Sequence, residues 1–168
     1  GILFIADEVQ TGFGRTGSLF ACDWVDGGIE PDILICAKGL ANGFPISAIG
    51  TRAELAVHQP PGSMGGTYGG NAVACAAANA VFAALADPQQ DVLNNSMKRG
   101  DEARRFIQTL ATDMPGLVHE VRGRGLMIGI EFNRRYGGVN RAPGALAKAI
   151  CTTCWAKGLL VLSCGPFD

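Results

Sequence analysis

Two short apolar runs each stop abruptly at an ionisable side chain. Ile33-Leu34-Ile35-Cys36-Ala37 is closed by Lys38, and Ile2-Leu3-Phe4-Ile5-Ala6 is closed by the pair Asp7-Glu8. Short apolar runs bounded by turn signals read as buried strands, although periodicity alone does not separate them from buried helix segments. Read as strands, both runs carry their charged groups at the carboxyl end, the edge of an open parallel sheet where ligands bind. A lysine held by a buried strand must find a partner, reach water, or lose its charge to apolar surroundings. The last outcome makes a nucleophilic amine; the second is ordinary snorkelling to the surface. A carboxylate and an amine converging on that edge form either an ion pair or a catalytic pair, and the spacing leaves both readings open.

Two glycine-rich segments lie near these groups. Gly12-x-Gly14-x-x-Gly17 matches the dinucleotide fingerprint. That fingerprint should follow its strand directly and open a crossover helix. Here Asp7 to Thr11 intervene, and the stretch from Ser18 to the Asp26-Gly27-Gly28 turn is too short for that helix. The second segment, Gly65 to Asn71, surrounds Thr67 with four glycines. It is either a flexible connection or a backbone nest offering N–H groups and the Thr67 hydroxyl to a phosphate.

Composition narrows the classes further. The chain has 168 residues, 48% hydrophobic and only 17% charged, with 14 basic against 15 acidic groups. A charged fraction this far below the usual quarter calls for cover by other protein, and the chain reads as an interior piece of a larger enzyme that stops at Gly165-Pro166-Phe167-Asp168 without a closing element. The balanced charge disfavours nucleic acid or an anionic membrane as partner. No apolar stretch is long enough to span a bilayer, and no secretory leader is visible. The six cysteines are irregularly spaced. Cys151-Thr152-Thr153-Cys154 has no second pair to complete a metal site, so no metal and reduced thiols in a cytoplasmic protein are expected.

The elements that must position these groups follow from the pattern. Pro45 to Gly50 reads as a strand, followed by a polar loop to Met64. An alanine-rich helix runs from about Ala72 to Ala86, stopped by Asp87-Pro88. A second helix carries Val92, Leu93, Met97, Ala103, Phe106, Ile107 and Leu110 at helical spacing, stopped by Asp113-Met114-Pro115-Gly116. Leu117 to Val121 and Leu126 to Phe132 read as strands, Ala142 to Lys157 as a helix with Gly158 just past its end, and Leu159 to Ser163 as a last strand.

Four stretches in order, Asp7-Glu8-Val9-Gln10-Thr11-Gly12-Phe13-Gly14-Arg15-Thr16-Gly17, the Pro31-Asp32 to Pro45 region around Lys38, Gly65-Gly66-Thr67-Tyr68-Gly69-Gly70-Asn71 and Arg122-Gly123-Arg124-Gly125-Leu126-Met127, resemble the class III aminotransferases. That resemblance implies an α/β fold of the fold type I pyridoxal-phosphate transferases. Residues 1–87 would be part of the large, mainly parallel-sheet domain, and residues 88–168 the connecting helix and part of the small C-terminal α/β domain. It also implies pyridoxal 5'-phosphate as cofactor. By resemblance Lys38 is the catalytic Schiff-base lysine, Asp7 pairs with the pyridinium nitrogen, Val9 packs on a ring face, Gln10 hydrogen-bonds the ring hydroxyl, and Thr67 reaches the phosphate of a neighbouring subunit, making a homodimer with shared sites. Asp7 and Val9 would project to one side if strand geometry continued. Glu8, Arg15 and Arg124 read as structural. The tail Leu159 to Gly165 is most similar to 4-aminobutyrate aminotransferases, which imply an ω-amino acid donor and 2-oxoglutarate as acceptor. Acetylornithine or ornithine aminotransferases and aminomutases share the other motifs.

Overall fold

The computed structural model describes residues 1–25 and 27–165. Asp26 of the expected turn and the Pro166 to Asp168 terminus lie outside the described residues. The chain divides into two compact units, one formed by residues 1–100 with 124–127, the other by residues 101–123 with 128–168.

The first unit is built on a three-stranded sheet in the order β1 (Ile5–Asp7), β2 (Ile33–Cys36), β3 (Ala48–Thr51). β1 and β2 are parallel with Ile5 opposite Ile33 and Asp7 opposite Ile35, and β3 is antiparallel to β2 with Cys36 opposite Ala48. Alternation puts Ala6, Leu34 and Cys36 on one face. That face is covered: Cys36 joins Leu40, Ala41 and Ala78 in the core, with Phe13, Phe20, Leu34 and Ile46 packed against it. Ile5 and Asp7 fall on the other face and are exposed, so β1 is covered on one side only, and the edge strand β3 is exposed throughout.

At the amino end of the sheet Asp32 braces all three strands. Its carboxylate accepts the Phe4 N–H (2.7 Å) and pairs with Arg52, while its carbonyl accepts the Thr51 hydroxyl (3.1 Å). The pairing therefore starts at Ile5 rather than at Ile2, which is fully exposed. β3 starts at Ala48 rather than Pro45, because the β2 ladder it pairs with ends at Cys36 and proline has no N–H to offer one. The polar loop beyond contains a single helical turn, α1 (Ala53–Ala56).

Helix α2 spans Ala72–Ala86, as the alanine run implies, and opens at Asn71, whose Oδ1 accepts the N–H groups of Val73 (3.1 Å) and Ala74 (3.0 Å). Its small residues Ala74 and Ala78 are buried, and small side chains let the helix approach the Lys38–Leu40 turn closely. Phe13 makes edge-on contacts with Phe20 and Phe82 at 5.6 and 5.5 Å between ring centres. The fingerprint glycines are packing sites: a Cβ on Gly12 would lie 2.9 Å from the Glu8 carbonyl, and one on Gly17, at φ +89°, would overlap Met97. Only a short 3-10 turn, Ala21–Trp24, follows them, which removes the nucleotide-loop reading.

Helix α3 spans Val92–Asp113, and the division between the two units falls within it, after Gly100. The second unit contains helix α4 (Ala145–Ala156) and the hairpin of β4 (Val118–Arg124) and β5 (Met127–Phe132) except its tip, residues 124–127. β4 runs through the motif to Arg124, and Arg122 ties the hairpin by donating to Glu120 (2.9 Å) and Glu131 (3.0 Å). α4 begins three residues later than the pattern suggested because Gly144, at φ +75°, is left-handed. Leu159 to Ser163 is not a strand. Its backbone folds onto the helix end, Leu159 N–H donating to the Cys154 carbonyl (2.9 Å) and the Val161 carbonyl accepting the Trp155 indole N–H (2.6 Å), with no paired strand among the described residues.

Candidate functional site

The parallel pairing of β1 and β2 brings Asp7 and Lys38 to one sheet edge. Asp7 is the last residue of β1 and lies opposite Ile35, and the ladder continues one bond further, from Glu8 N–H to the Ile35 carbonyl (2.9 Å). Beyond β2 the chain turns sharply. Lys38 opens a 3-10 turn in the left-handed region (φ +44°), a conformation that costs a non-glycine residue free energy and is held here by the packed turn behind it. A Cβ on the next residue, Gly39, would lie 2.9 Å from the Phe13 Cβ, so the turn sits close against the aromatic cluster.

Lys38 Nζ donates to Gln10 Oε1 at 3.4 Å, which joins the end of β2 to the segment after β1. The lysine is exposed: of the three outcomes open to it, its amine has a partner in Gln10 and reaches water. Asp7 is also exposed. Its Oδ1 accepts the Val9 N–H (3.1 Å), and Oδ2 has no partner among the described residues. Strand geometry ends at Asp7; Val9 and Gln10 lie in turns, so Val9 is placed by this side-chain bond and not by continued alternation.

Glu8 is the buried member of the group, 3% exposed. Its Oε2 accepts the Thr11 hydroxyl and its Oε1 accepts the Cys22 N–H (2.9 Å). Burial alone would push this carboxyl up, but the hydrogen bonds from Thr11 and from the Ala21 and Cys22 backbone more than offset that and hold it below the ordinary glutamate value. Burial pushes the Cys22 thiol up, and the bonded Glu8 carboxylate adds to the effect.

Thr67 lies in an exposed loop closed by Gly69 N–H to the Gly66 carbonyl (3.0 Å) and Asn71 N–H to the Tyr68 carbonyl (3.1 Å). No hydrogen bond joins it to Asp7, Gln10 or Lys38. Arg124 is engaged elsewhere, its guanidinium 4.4 Å from the centre of the Trp24 ring. The Arg15 carbonyl accepts the Leu126 N–H (2.9 Å), while its side chain is exposed. Both glycine-flanked arginines thus lie beside structural contacts within the first unit.

An exposed amine and a carboxylate with an open oxygen, both fixed at the carboxyl edge of parallel strands, suit a small charged cofactor with one face toward the sheet. The aminotransferase class-III family model matches residues 1–167. The chain belongs to the class-III aminotransferases. This is a family of pyridoxal-phosphate-dependent enzymes. The chain is 40% identical over 170 residues to a 4-aminobutyrate aminotransferase of Mycobacterium bovis, covering 99% of this chain and 36% of that protein. Among solved structures, an acetylornithine aminotransferase from Elizabethkingia anophelis is 36% identical, with a TM-score of 0.78 over 95% of this chain and 37% of the other. A phospholyase from Arthrobacter in complex with phosphoethanolamine is 35% identical, with a TM-score of 0.81 over 99% of this chain and 38% of the other. The chain therefore spans little more than a third of each, and the fold is that of part of a fold type I transferase.

The donor set fits the family cofactor in chemistry: Lys38 supplies a primary amine, Asp7 an uncommitted carboxylate oxygen, and Gln10 an amide. Sequence reasoning did not pick out Asp32 as the brace of the sheet or Trp24 as the seat of Arg124. The Pro31-Asp32 pair before an apolar run was the available sign of the first; nothing in the spacing marked the second.

Proposed function

We propose that the complete protein is a pyridoxal-phosphate-dependent aminotransferase that moves an ω-amino group, from 4-aminobutyrate, to 2-oxoglutarate. The observation that carries this reading is the joint placement of Asp7 and Lys38 at the ends of two adjacent parallel strands, with the lysine amine on Gln10. The bound cofactor supplies a ring that accepts electrons from the substrate's amino-bearing carbon.

In this proposal the residues divide the work by their chemistry. Lys38 holds the cofactor through its amine and, once displaced, takes the proton from the substrate's amino-bearing carbon at Nζ. Asp7 keeps a positive ring nitrogen charged through its open oxygen. Gln10, already within reach of Lys38, donates to the ring hydroxyl, and half-buried Val9 lies against one ring face. Thr67, on its exposed loop, donates to the phosphate held by a second copy of the chain, giving a homodimer with shared sites. Residues 1–87 belong to the cofactor domain and residues 88–168 to the connecting helix and part of the small domain. A cytoplasmic location is part of the same reading, the irregular cysteine spacing favouring reduced thiols.

The donor follows the 4-aminobutyrate relatives. Acetylornithine or ornithine is the second reading, supported by the acetylornithine aminotransferase likeness. The test uses the complete protein with pyridoxal phosphate, 2-oxoglutarate and each amine in turn, measuring glutamate. Turnover with 4-aminobutyrate, abolished in Lys38→Ala, is the expected result. Turnover that survives Lys38→Ala overturns the role of the lysine; preference for acetylornithine overturns the donor.

A further inference from the structure

We infer that Glu8 is a positioning residue for the cofactor edge, acting through the hydrogen bonds that tie the Asp7 to Thr11 segment to the Ala21–Trp24 turn. The inference rests on the proposed roles of Asp7, Gln10 and Lys38. Four bonds converge on this one residue. Its N–H extends the β1–β2 ladder to Ile35 (2.9 Å), its carbonyl accepts the Gly12 N–H (3.0 Å), and its two carboxylate oxygens take the Thr11 hydroxyl and the Cys22 N–H. The residues in between, Val9 and Gln10, have no ladder of their own. They are held at one end by Asp7 Oδ1 and at the other by Glu8 through Thr11 and Gly12.

The local packing leaves little slack. A Cβ on Gly12 would already lie 2.9 Å from the Glu8 carbonyl and 3.3 Å from the Phe20 ring, so the Glu8 to Gly12 turn sits directly against the loop that leads into Cys22. Removing the carboxylate leaves two part-buried donors, the Thr11 hydroxyl and the Cys22 N–H, without their acceptors, and a donor unpaired there either pulls the chain out of place or admits water. Either change moves Gln10 relative to Lys38, although Glu8 touches neither. Glutamine in place of Glu8 keeps an acceptor for the Cys22 N–H and can donate to the Thr11 hydroxyl oxygen, so it should preserve the positions without the charge.

The test measures the pyridoxal phosphate dissociation constant of the complete protein by fluorescence titration, well below the melting transition of each variant. Glu8→Ala should weaken binding about tenfold, the low end of the cost of leaving donors unpaired. Thr11→Val should weaken it in the same direction, and Glu8→Gln should stay within about threefold of the parent. Ile107→Ala, a core truncation in α3, serves as a control that loses stability without touching this network. If Glu8→Ala folds but binds the cofactor as well as Ile107→Ala does, Glu8 only stabilises the fold and the inference fails. Where Glu8→Ala does not fold, Thr11→Val carries the test: parent-like binding in it overturns the inference. A parent protein that binds no pyridoxal phosphate overturns the proposed function together with the inference, whereas parent binding unchanged across Glu8→Ala and Thr11→Val overturns the inference alone.

Discussion

Replacing Gly100 by alanine sets two physical effects against each other. Gly100 lies inside α3, where alanine is ordinarily favoured over glycine by about 1 kcal/mol. A Cβ built there would lie 1.9 Å from the Gly125 carbonyl oxygen and 2.4 Å from the carbonyl carbon. Ordinary carbon–oxygen contact needs about 3.4 Å, so about 1.5 Å of separation must be found. The atoms in the way are backbone, and the Gly125 turn is pinned on its other side by the Leu126 N–H to Arg15 carbonyl bond (2.9 Å). Overpacking of this kind costs about 1–3 kcal/mol or more, which outweighs the helix gain. Gly100→Ala should therefore lower the melting temperature of the complete protein, followed by circular dichroism at a fixed heating rate. A higher melting temperature than the parent would refute the close approach of α3 to the Gly125 turn.

Three further outcomes follow from individual contacts. Asn71→Ala removes the side-chain acceptor at the start of α2 and should cost about 1 kcal/mol by urea unfolding, with Asn71→Asp restoring most of it. Arg124→Gln should cost about 0.5–1 kcal/mol through the lost stacking on Trp24 and shift the tryptophan emission, while an unshifted spectrum would place the guanidinium elsewhere. Because the folded-state Glu8 carboxyl lies below its unfolded value, its contribution to stability is present above the ordinary glutamate range and is lost as pH falls through the lowered folded value. Acid titration of stability should show that loss in the parent and a smaller one in Glu8→Gln.

Much of the first unit was legible because it is written in local patterns. The alanine run of α2 reproduces its observed bounds, and the two apolar runs ending in Asp7 and Lys38 mark the sheet edge, because a short strand and its terminating charge are adjacent in sequence. The degree of cover was not legible: hydrophobicity said that Ile5 and Ile49 want burial, but both are about half exposed, since nothing described here covers the second face of the sheet. Long-range ties were also hidden. Asp32 binding Arg52 and Arg124 on Trp24 depend on the folded path, and no periodicity encodes them. Leu159 to Ser163 has a strand's composition, but a strand needs a partner, and its bonds go instead to the end of α4. The turn that makes Val9 follow Asp7 came from one side-chain bond, which alternation could not foresee.

The central claim is that Lys38 is the amine that holds the cofactor. The direct measurement is borohydride reduction of the complete protein loaded with pyridoxal phosphate, followed by peptide mapping by mass spectrometry. The account predicts the reduced cofactor on the peptide containing Lys38, in place of the surface residues Lys98 and Lys157, and its loss from that peptide in Lys38→Ala. Labelling concentrated on another lysine, with Lys38 unmodified, would contradict it.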